Sequence, residues 1–231
     1  MESIIVGFGY KARAGKDFCV TSIVEKYGSA YDIRRYSFAN ALKTEFYDSL
    51  LNPFDPYWGF ITGRLVDQYL ALPHPTNESA TDEEKLAWIE ANRPSIVKHL
   101  QIFGTEYMRA KDPFCWVRKL RGQINRDQPR IALISDVRFK NEYAFVKGFR
   151  GHTVSVFRYR QDSSLWTDPN RDPNHQSEVD LDGVAFDYRI NCLDGELESL
   201  RQDAYTVFEM ILDRETPKVP DMSDICVEAS A

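Results

Sequence analysis

Residues 4–17 read Ile-Ile-Val-Gly-Phe-Gly-Tyr-Lys-Ala-Arg-Ala-Gly-Lys-Asp, an apolar run followed by a loop that ends in Gly15-Lys16-Asp17. No other stretch constrains the fold as strongly. Ile4, Ile5 and Val6 suit a buried strand, and Phe18, Ile23 and Val24 have the spacing of a helix running from Phe18 to Lys26. A strand, a glycine-bearing turn and a helix gather backbone N–H groups and a positive helix end around one point, where a polyphosphate is held. In the G-x-x-x-x-G-K-[ST] pattern the lysine reaches the terminal phosphates and the hydroxyl contacts Mg²⁺. Two positions depart from it. Tyr10 stands in the first-glycine place, with Gly9 one residue early, and Asp17 stands in the hydroxyl place. Tyrosine resists positive φ, so the loop is expected to turn differently or to use Gly9 with one extra residue. Asp17 is a stronger, charged oxygen donor for Mg²⁺. The plainer alternative is a glycine turn with Lys16 and Asp17 solvated.

The rest of the chain alternates strand and helix patterns. Strands are predicted over Tyr31–Phe38, Arg130–Asp136, His152–Tyr159 and Phe186–Asn191. Helices are predicted over Ala39–Leu51, from Thr81-Asp82-Glu83-Glu84 onward, from Pro94 to about Lys111, from Asp112-Pro113 to about Asn125, over Phe139–Lys147, and along Leu197–Ile211. Residues 52–82 are rich in Pro, Asn and aromatics and read as an insertion outside the core framework. Residues 160–180 read as loop, and the Pro-bearing stretch 216–231 reads as a flexible tail. Such alternation implies an α/β fold, a mainly parallel sheet with helices on both faces. Ligands of such folds sit at the C-terminal strand ends, where Gly9–Asp17 and Asp136 both fall.

Three further clusters carry polar chemistry. Asp136 ends a core strand beside the loop and suits a water-mediated Mg²⁺ contact, and Arg138 reaches the same crevice. The alternative is an Asp that caps the following helix, with Arg138 paired to Glu142 at i, i+4. Gln101, Thr105, Glu106 and Arg109 are spaced to share one polar helix face, with Arg109 suited to an anion and Trp116 to base stacking. An ordinary solvated face and a core tryptophan are the alternative. His175-Gln-Ser-Glu178 lies in the loop after the third clear strand, near Arg158, Arg160 and Arg171, which suit a closing loop over transferring phosphates. His175, Ser177 and Glu178 are better read as a hydrogen-bonded turn than as direct chemistry.

Five stretches in order resemble the deoxynucleoside monophosphate kinases of bacteriophages: Gly9–Asp17, Ser37–Lys43, Leu100–Glu106 with Arg109 and Trp116, Ser135–Arg138 with Asn141 and Glu142, and His175–Glu178. The Gly-Lys-Asp ending is normal in that family. Tyr10 and Asn40 depart from it. The resemblance implies a P-loop NTPase fold over residues 1–215, with an acceptor-binding insertion at about 40–128 and a lid-like loop at about 158–180. It implies transfer of the ATP γ-phosphate to a deoxynucleoside 5′-monophosphate. Gly9, Lys11, Ala12, Arg13, Ala14, Gly15, Lys16, Asp17 and Phe18 would hold ATP, and Asp17 and Asp136 would hold Mg²⁺. Phe38, Lys43, Gln101, Thr105, Glu106, Arg109, Trp116 and Arg138 would hold the acceptor. Lys16, Arg109, Asp136 and Arg138 would act in transfer, and one of Arg158, Arg160 and Arg171 would serve the lid. A homodimer is also suggested, although no stretch marks its interface.

Composition narrows the rivals. A net charge of −6 and no basic stripe argue against a nucleic-acid partner, including a polynucleotide end. The four cysteines, Cys19, Cys115, Cys192 and Cys226, are scattered, which fits reduced thiols in a cytoplasm. No apolar run has transmembrane length, so no membrane partner is expected. A P-loop kinase of another small molecule, such as dephospho-coenzyme A, remains a rival. So does a nucleotide-binding regulatory module that transfers nothing.

Overall fold

The structure, a computed structural model, describes residues 3–61, 72–168 and 172–215. Five parallel strands form one sheet in the order β2-β3-β1-β4-β5. They are β1 (Ile4–Gly9), β2 (Ile33–Tyr36), β3 (Ile131–Val137), β4 (His152–Tyr159) and β5 (Tyr188–Leu193). β1 lies in the middle, with Val6 opposite Leu133 on one side and His152 on the other. The chain visits β2 and β3 on one side of β1 and then crosses to β4 and β5. That reversal opens a crevice at the carboxyl ends of β1 and β3, the place where α/β sheets bind ligands.

Side chains alternate across the sheet and divide the core in two. Val6, Phe8, Ile131, Leu133, Val154 and Val156 face α1 (Lys16–Tyr27) and α9 (Leu197–Glu215), where Val20, Ile23, Ala204 and Phe208 are buried. Ile5, Ala132 and Ile134 lie in the second cluster, with α2 (Phe38–Leu51) and the later helices of that face. Continuous apolar runs in the inner strands follow from this double coverage.

The second face is thicker because most of the extra helices gather there. They are α3 (Pro56–Phe60), α4 (Asp82–Ala91), α5 (Arg93–Gln101) with a π-helical continuation (Ile102–Arg109), α6 (Cys115–Asp127) and α7 (Lys140–Gly148). Thr81 and Glu84 form the capping box expected at the start of α4, with the Thr81 N–H 2.8 Å from the Glu84 carboxylate. A short α8 (Gln176–Val179) lies between β4 and β5.

Three sequence expectations change. The segment read as an insertion outside the core instead buries Tyr57 and Trp58, which pack on Phe46, Phe103 and Tyr107. Asp55 caps α3, accepting from the Tyr57 N–H, and Pro56 starts it, so the turn-forming residues do not exclude the segment from the core. The helix from Pro94 begins as expected but widens to i→i+5 bonding after Gln101. Gly104 permits this segment to lie against α2, because a Cβ there would come within 2.1 Å of Leu42 Cδ1. The last strand starts at Tyr188 rather than Phe186, and the first helix at Lys16 rather than Phe18. The tail from 216 and much of the 52–82 segment, residues 62–71, lie outside the described residues.

α9 closes the first face, and Phe208 is its largest fully buried side chain, with its ring centroid 5.1 Å from that of Tyr27. Phe208→Ala is expected to cost about 3–5 kcal/mol and to lower the melting temperature by on the order of 10 °C. A thermal melt of the variant checks this, and an unchanged midpoint would mean that α9 is not integral to the core.

Candidate active site

The loop after β1 departs from expectation in an informative way. Tyr10 adopts φ 92°, so it fills the first-glycine place directly, and Gly9 stays in β1 opposite Val137. The loop neither shifts its turn nor borrows Gly9. A non-glycine residue in that region costs about 1–3 kcal/mol. The Tyr10 ring packs 4.4 Å from Phe157, and its N–H donates to the Val137 carbonyl at 3.2 Å. Burial and the neighbouring Asp182 raise the pKa of its phenol. Gly15, at φ 102°, ends the loop beneath Leu200 and leads into α1. Phe18 faces away from the crevice, into the core beneath α9, with Arg201 over its ring.

Lys16 is 4 % exposed, and its amine donates to the carbonyls of Tyr10 (3.3 Å) and Lys11. Burial, aided by the charge of Arg138, pulls its pKa down to about 7. Asp17 has an exposed side chain, paired with Arg35 of β2, which also donates to Thr21 Oγ1 at 3.1 Å. Arg13 and Asp17 line a cavity of about 820 Å³ that runs from the loop to α5.

Asp136 caps α2, not the helix that follows it. Its carboxylate accepts from Ser37 Oγ (2.7 Å), the Phe38 N–H (2.8 Å) and the Ala39 N–H (2.9 Å). The Arg138 guanidinium pairs with Glu178 at 2.9 Å, while its backbone N–H donates to Glu142 at 2.7 Å. The i, i+4 side-chain pair of Arg138 with Glu142 that the alternative reading held is not formed, since the Arg138 side chain meets Glu178 instead. Arg109 pairs with Glu142 and lies 3.8 Å over the Phe139 ring. Burial drives the Glu142 pKa up to about 7 against the pull of Arg109.

The far wall combines expected and unexpected residues. Phe38, Lys43, Gln101, Thr105, Arg109, Trp116 and Arg138 all line the cavity. Glu106 does not, because it falls on the exposed side of the π-helical segment. Trp116 is only 1 % exposed, and its indole donates to the Gly104 carbonyl at 3.2 Å, so it is a core residue with an edge on the cavity. Lys43 pairs with Glu90 at 2.7 Å, and Arg93 holds the same carboxylate at 3.1 Å. Arg35, Glu90 and Arg93 were missed from the sequence. Their partners are distant in the chain or sit in a helix whose approach no motif announces.

The segment after β4 reaches the loop. Glu178 accepts from the Ala12 N–H at 3.0 Å, and Lys11 donates to the Glu178 carbonyl and to Asp182. Arg158 donates to the Arg13 carbonyl at 3.2 Å, pairs with Asp194 and lies over Trp166. Arg160 instead bonds Ser164 and Leu165 within its own turn. Arg171 lies outside the described residues. His175 and Ser177 form the expected turn, with Nδ1 2.9 Å from Oγ, and both border the cavity.

The carboxylates fit a hydrated Mg²⁺ and not a fully protein-ligated ion. Asp17 follows Lys16 with its carboxylate exposed, while the Asp136 oxygens already accept three bonds and suit contact through water. Among the described residues no group of three or more His, Cys, Asp or Glu clusters as a metal site.

A central parallel strand, a lysine-bearing loop and a helix starting at that lysine give the chain a P-loop NTPase-like α/β fold. No family model matches the sequence. The chain is 28 % identical over 176 residues, 61 % of its length, to the deoxynucleoside-5′-monophosphate kinase of Escherichia phage T5, and the match spans 70 % of that protein. A Thermus thermophilus protein of solved crystal structure aligns over 94 % of this chain and all of its own, at 15 % identity and a TM-score of 0.36, too low to carry an argument. The phage relative supports a kinase of the P-loop type, a phosphotransferase that handles nucleotides. No helix among the described residues is long and apolar enough to cross a membrane.

The lowered Lys16 pKa has a sign that can be checked. Between about pH 7 and 10 the unfolded chain binds the proton that the folded loop has lost, so this group makes stability of the ligand-free protein rise with pH. A polyphosphate seated in the loop restores the charge. Binding of inorganic triphosphate at pH 8 is therefore expected to take up a proton, giving a calorimetric enthalpy that varies with the buffer's ionisation enthalpy. Lys16→Met should abolish the uptake, and buffer-independent enthalpy for the unaltered protein would refute the assignment.

Proposed function

We propose that the protein is a deoxynucleoside monophosphate kinase that transfers the γ-phosphate of ATP to a 5′-monophosphate. The observation that carries this reading is one cavity of about 820 Å³ lined by Arg13 and Asp17 of the Lys16 loop together with Lys43, Arg109 and Arg138. The phage relative agrees in the kind of reaction.

In this reading the loop amides and Lys16 hold the ATP phosphates, the Lys16 amine exchanging the Tyr10 and Lys11 carbonyls for phosphate oxygens. Asp17 and Asp136 are the carboxylates that would hold a hydrated Mg²⁺. When bound, that ion neutralises charge on the β- and γ-phosphate oxygens. Arg109 and Arg138 hold the acceptor phosphate, with Lys43, Gln101 and Thr105 on the acceptor wall. An oxygen of the acceptor phosphate forms a bond to the γ-phosphorus as the bond to the β–γ bridging oxygen breaks. The products are the deoxynucleoside diphosphate and ADP. The nucleophile is already anionic near neutral pH, so no general base is needed and His175 stays a turn residue. Catalysis is then mostly alignment and charge placement. Arg158 is the lid arginine of choice because it alone of the described pair contacts the phosphate loop.

Purified protein with ATP, Mg²⁺ and a panel of deoxynucleoside monophosphates, modified pyrimidines included, should give acceptor-dependent ADP with at least one member. Lys16→Ala should lower kcat at least about 1000-fold, consistent with the loss of a charge aimed at the transferred group. Folded protein that makes no acceptor-dependent ADP would sink the proposal.

A further inference from the structure

The proposed reading uses Arg109 and Arg138 but leaves a buried acid between them unexplained. Glu142 is 2 % exposed and sits in the first turn of α7. Its two oxygens are divided between two tasks. Oε1 accepts from Arg109 Nη2. Oε2 accepts from the Arg138 N–H at 2.7 Å and the Phe139 N–H at 3.1 Å. Those two amides anchor the backbone that carries Arg138, and the ring of Phe139 is the surface on which the Arg109 guanidinium lies, 3.8 Å away. Asn141 adds a long contact from its Oδ1 to Arg109 Nη1 at 3.5 Å. Arg109 is thus held at one edge and on one face, with the rest of its fork on the cavity wall.

We propose that Glu142 is a positioning residue that sets the spacing of the two arginines, one carboxylate oxygen fixing Arg109 and the other fixing the backbone of Arg138. This role rests on the kinase reading above. Arg109 comes from the π-helical segment and Arg138 from the end of β3, so the two arrive on separate elements with no covalent reason to be aligned. A rigid carboxylate group joins them with one fixed geometry. A glutamine in its place keeps the size, but its NH₂ group would meet either Arg109 or the two amides, all of which are donors. One of the two tasks must then fail. Arg138 has a second holder in Glu178, whereas Arg109 has no other carboxylate partner among the described ion pairs, so the loss is expected on the Arg109 side.

The test is steady-state kinetics of E142Q beside the unaltered protein, R109K and the double variant, with ATP and the accepted monophosphate. A positioning role predicts that E142Q lowers kcat/KM for the acceptor by on the order of 100-fold, as expected for a misplacement of about 1 Å, while KM for ATP stays within about twofold. It also predicts that the double variant loses much less than the product of the two single losses. Acceptor kinetics unchanged in E142Q, or losses that multiply, would overturn the role. If E142Q does not fold, Glu142→Asp serves, because it keeps the charge and shortens the reach. The role then predicts the same acceptor-side loss, and a melting point lowered with unaltered acceptor kinetics overturns it. No turnover by the unaltered protein overturns the kinase reading and this role with it, whereas normal turnover with an unimpaired E142Q overturns the role alone.

Discussion

The carboxylate of Asp136 joins the two halves of the site. It lies at the end of β3 and takes the Ser37 hydroxyl and the first two amides of α2. Those amides belong to the groups that a helix cannot satisfy by itself, and the positive end of the helix favours a negative charge there. One residue therefore ties the cavity wall formed by α2 to the centre of the sheet. β3 is also the parallel neighbour of β1, with Gly7 opposite Ile134 just before the phosphate loop. The loop, the strand that carries Arg138 and the helix that carries Lys43 consequently share one frame. Their relative positions depend on strand register and a helix cap, not on loop flexibility.

Charge in the cavity follows a second constraint. The protein as a whole is acidic, yet Arg13, Arg35, Lys43, Arg93, Arg109 and Arg138 all face one cavity. Lys43, Arg109 and Arg138 are largely withdrawn from water, which is costly unless each is paired. Here Arg13 has Asp168, Arg35 has Asp17, Lys43 and Arg93 share Glu90, Arg109 has Glu142 and Arg138 has Glu178. The acids fix the direction of the cations before any ligand arrives, so little reorganisation is left for the moment of reaction. The buried Glu142 and the buried Lys16 show the cost of this arrangement, since each is pushed by desolvation toward its neutral form.

Much of this was legible in the sequence, for identifiable reasons. Apolar runs such as 131–134 record strands covered on both faces, and the Gly15-Lys16 ending records a helix that starts at the loop's lysine. The turn at His175 and the capping box at Thr81 are local, so their residues lie close in the chain. The failures are all of another kind. In the sequence Asp136 reads as a water-mediated Mg²⁺ contact, with capping of the nearest helix as the alternative, and the helix it does cap, α2, lies about a hundred residues earlier. Glu106 was placed with Gln101 and Arg109 on spacing alone, yet the wider turn of the π-helical segment and the packing of Gly104 on Leu42 leave it outside. Tyr57 and Trp58 lay in a stretch whose composition signals turns, while their burial depends on contacts with Phe46 and Phe103 that no local pattern encodes.

Tyr10 shows how a residue that looks wrong for its place is accommodated. The usual glycine lets a phosphate loop reach positive φ without penalty. In this chain four successive loop residues are held from outside by the end of β4 and residues that follow it. Tyr10 packs on Phe157, Lys11 bonds the Glu178 carbonyl and Asp182, Ala12 donates to the Glu178 carboxylate, and Arg13 meets Asp168 and Arg158. The strain at one residue is set against packing and hydrogen bonds at all four, so the surroundings, not the intrinsic preference of the chain, determine the backbone path. The same contacts tie the loop to Phe157, Arg158, Asp168, Glu178 and Asp182. Glu178 accepts from the Ala12 N–H of the loop with one oxygen and from Arg138 with the other, so one carboxylate links the two. The two ends of the proposed reaction are thereby in physical contact before either substrate is bound.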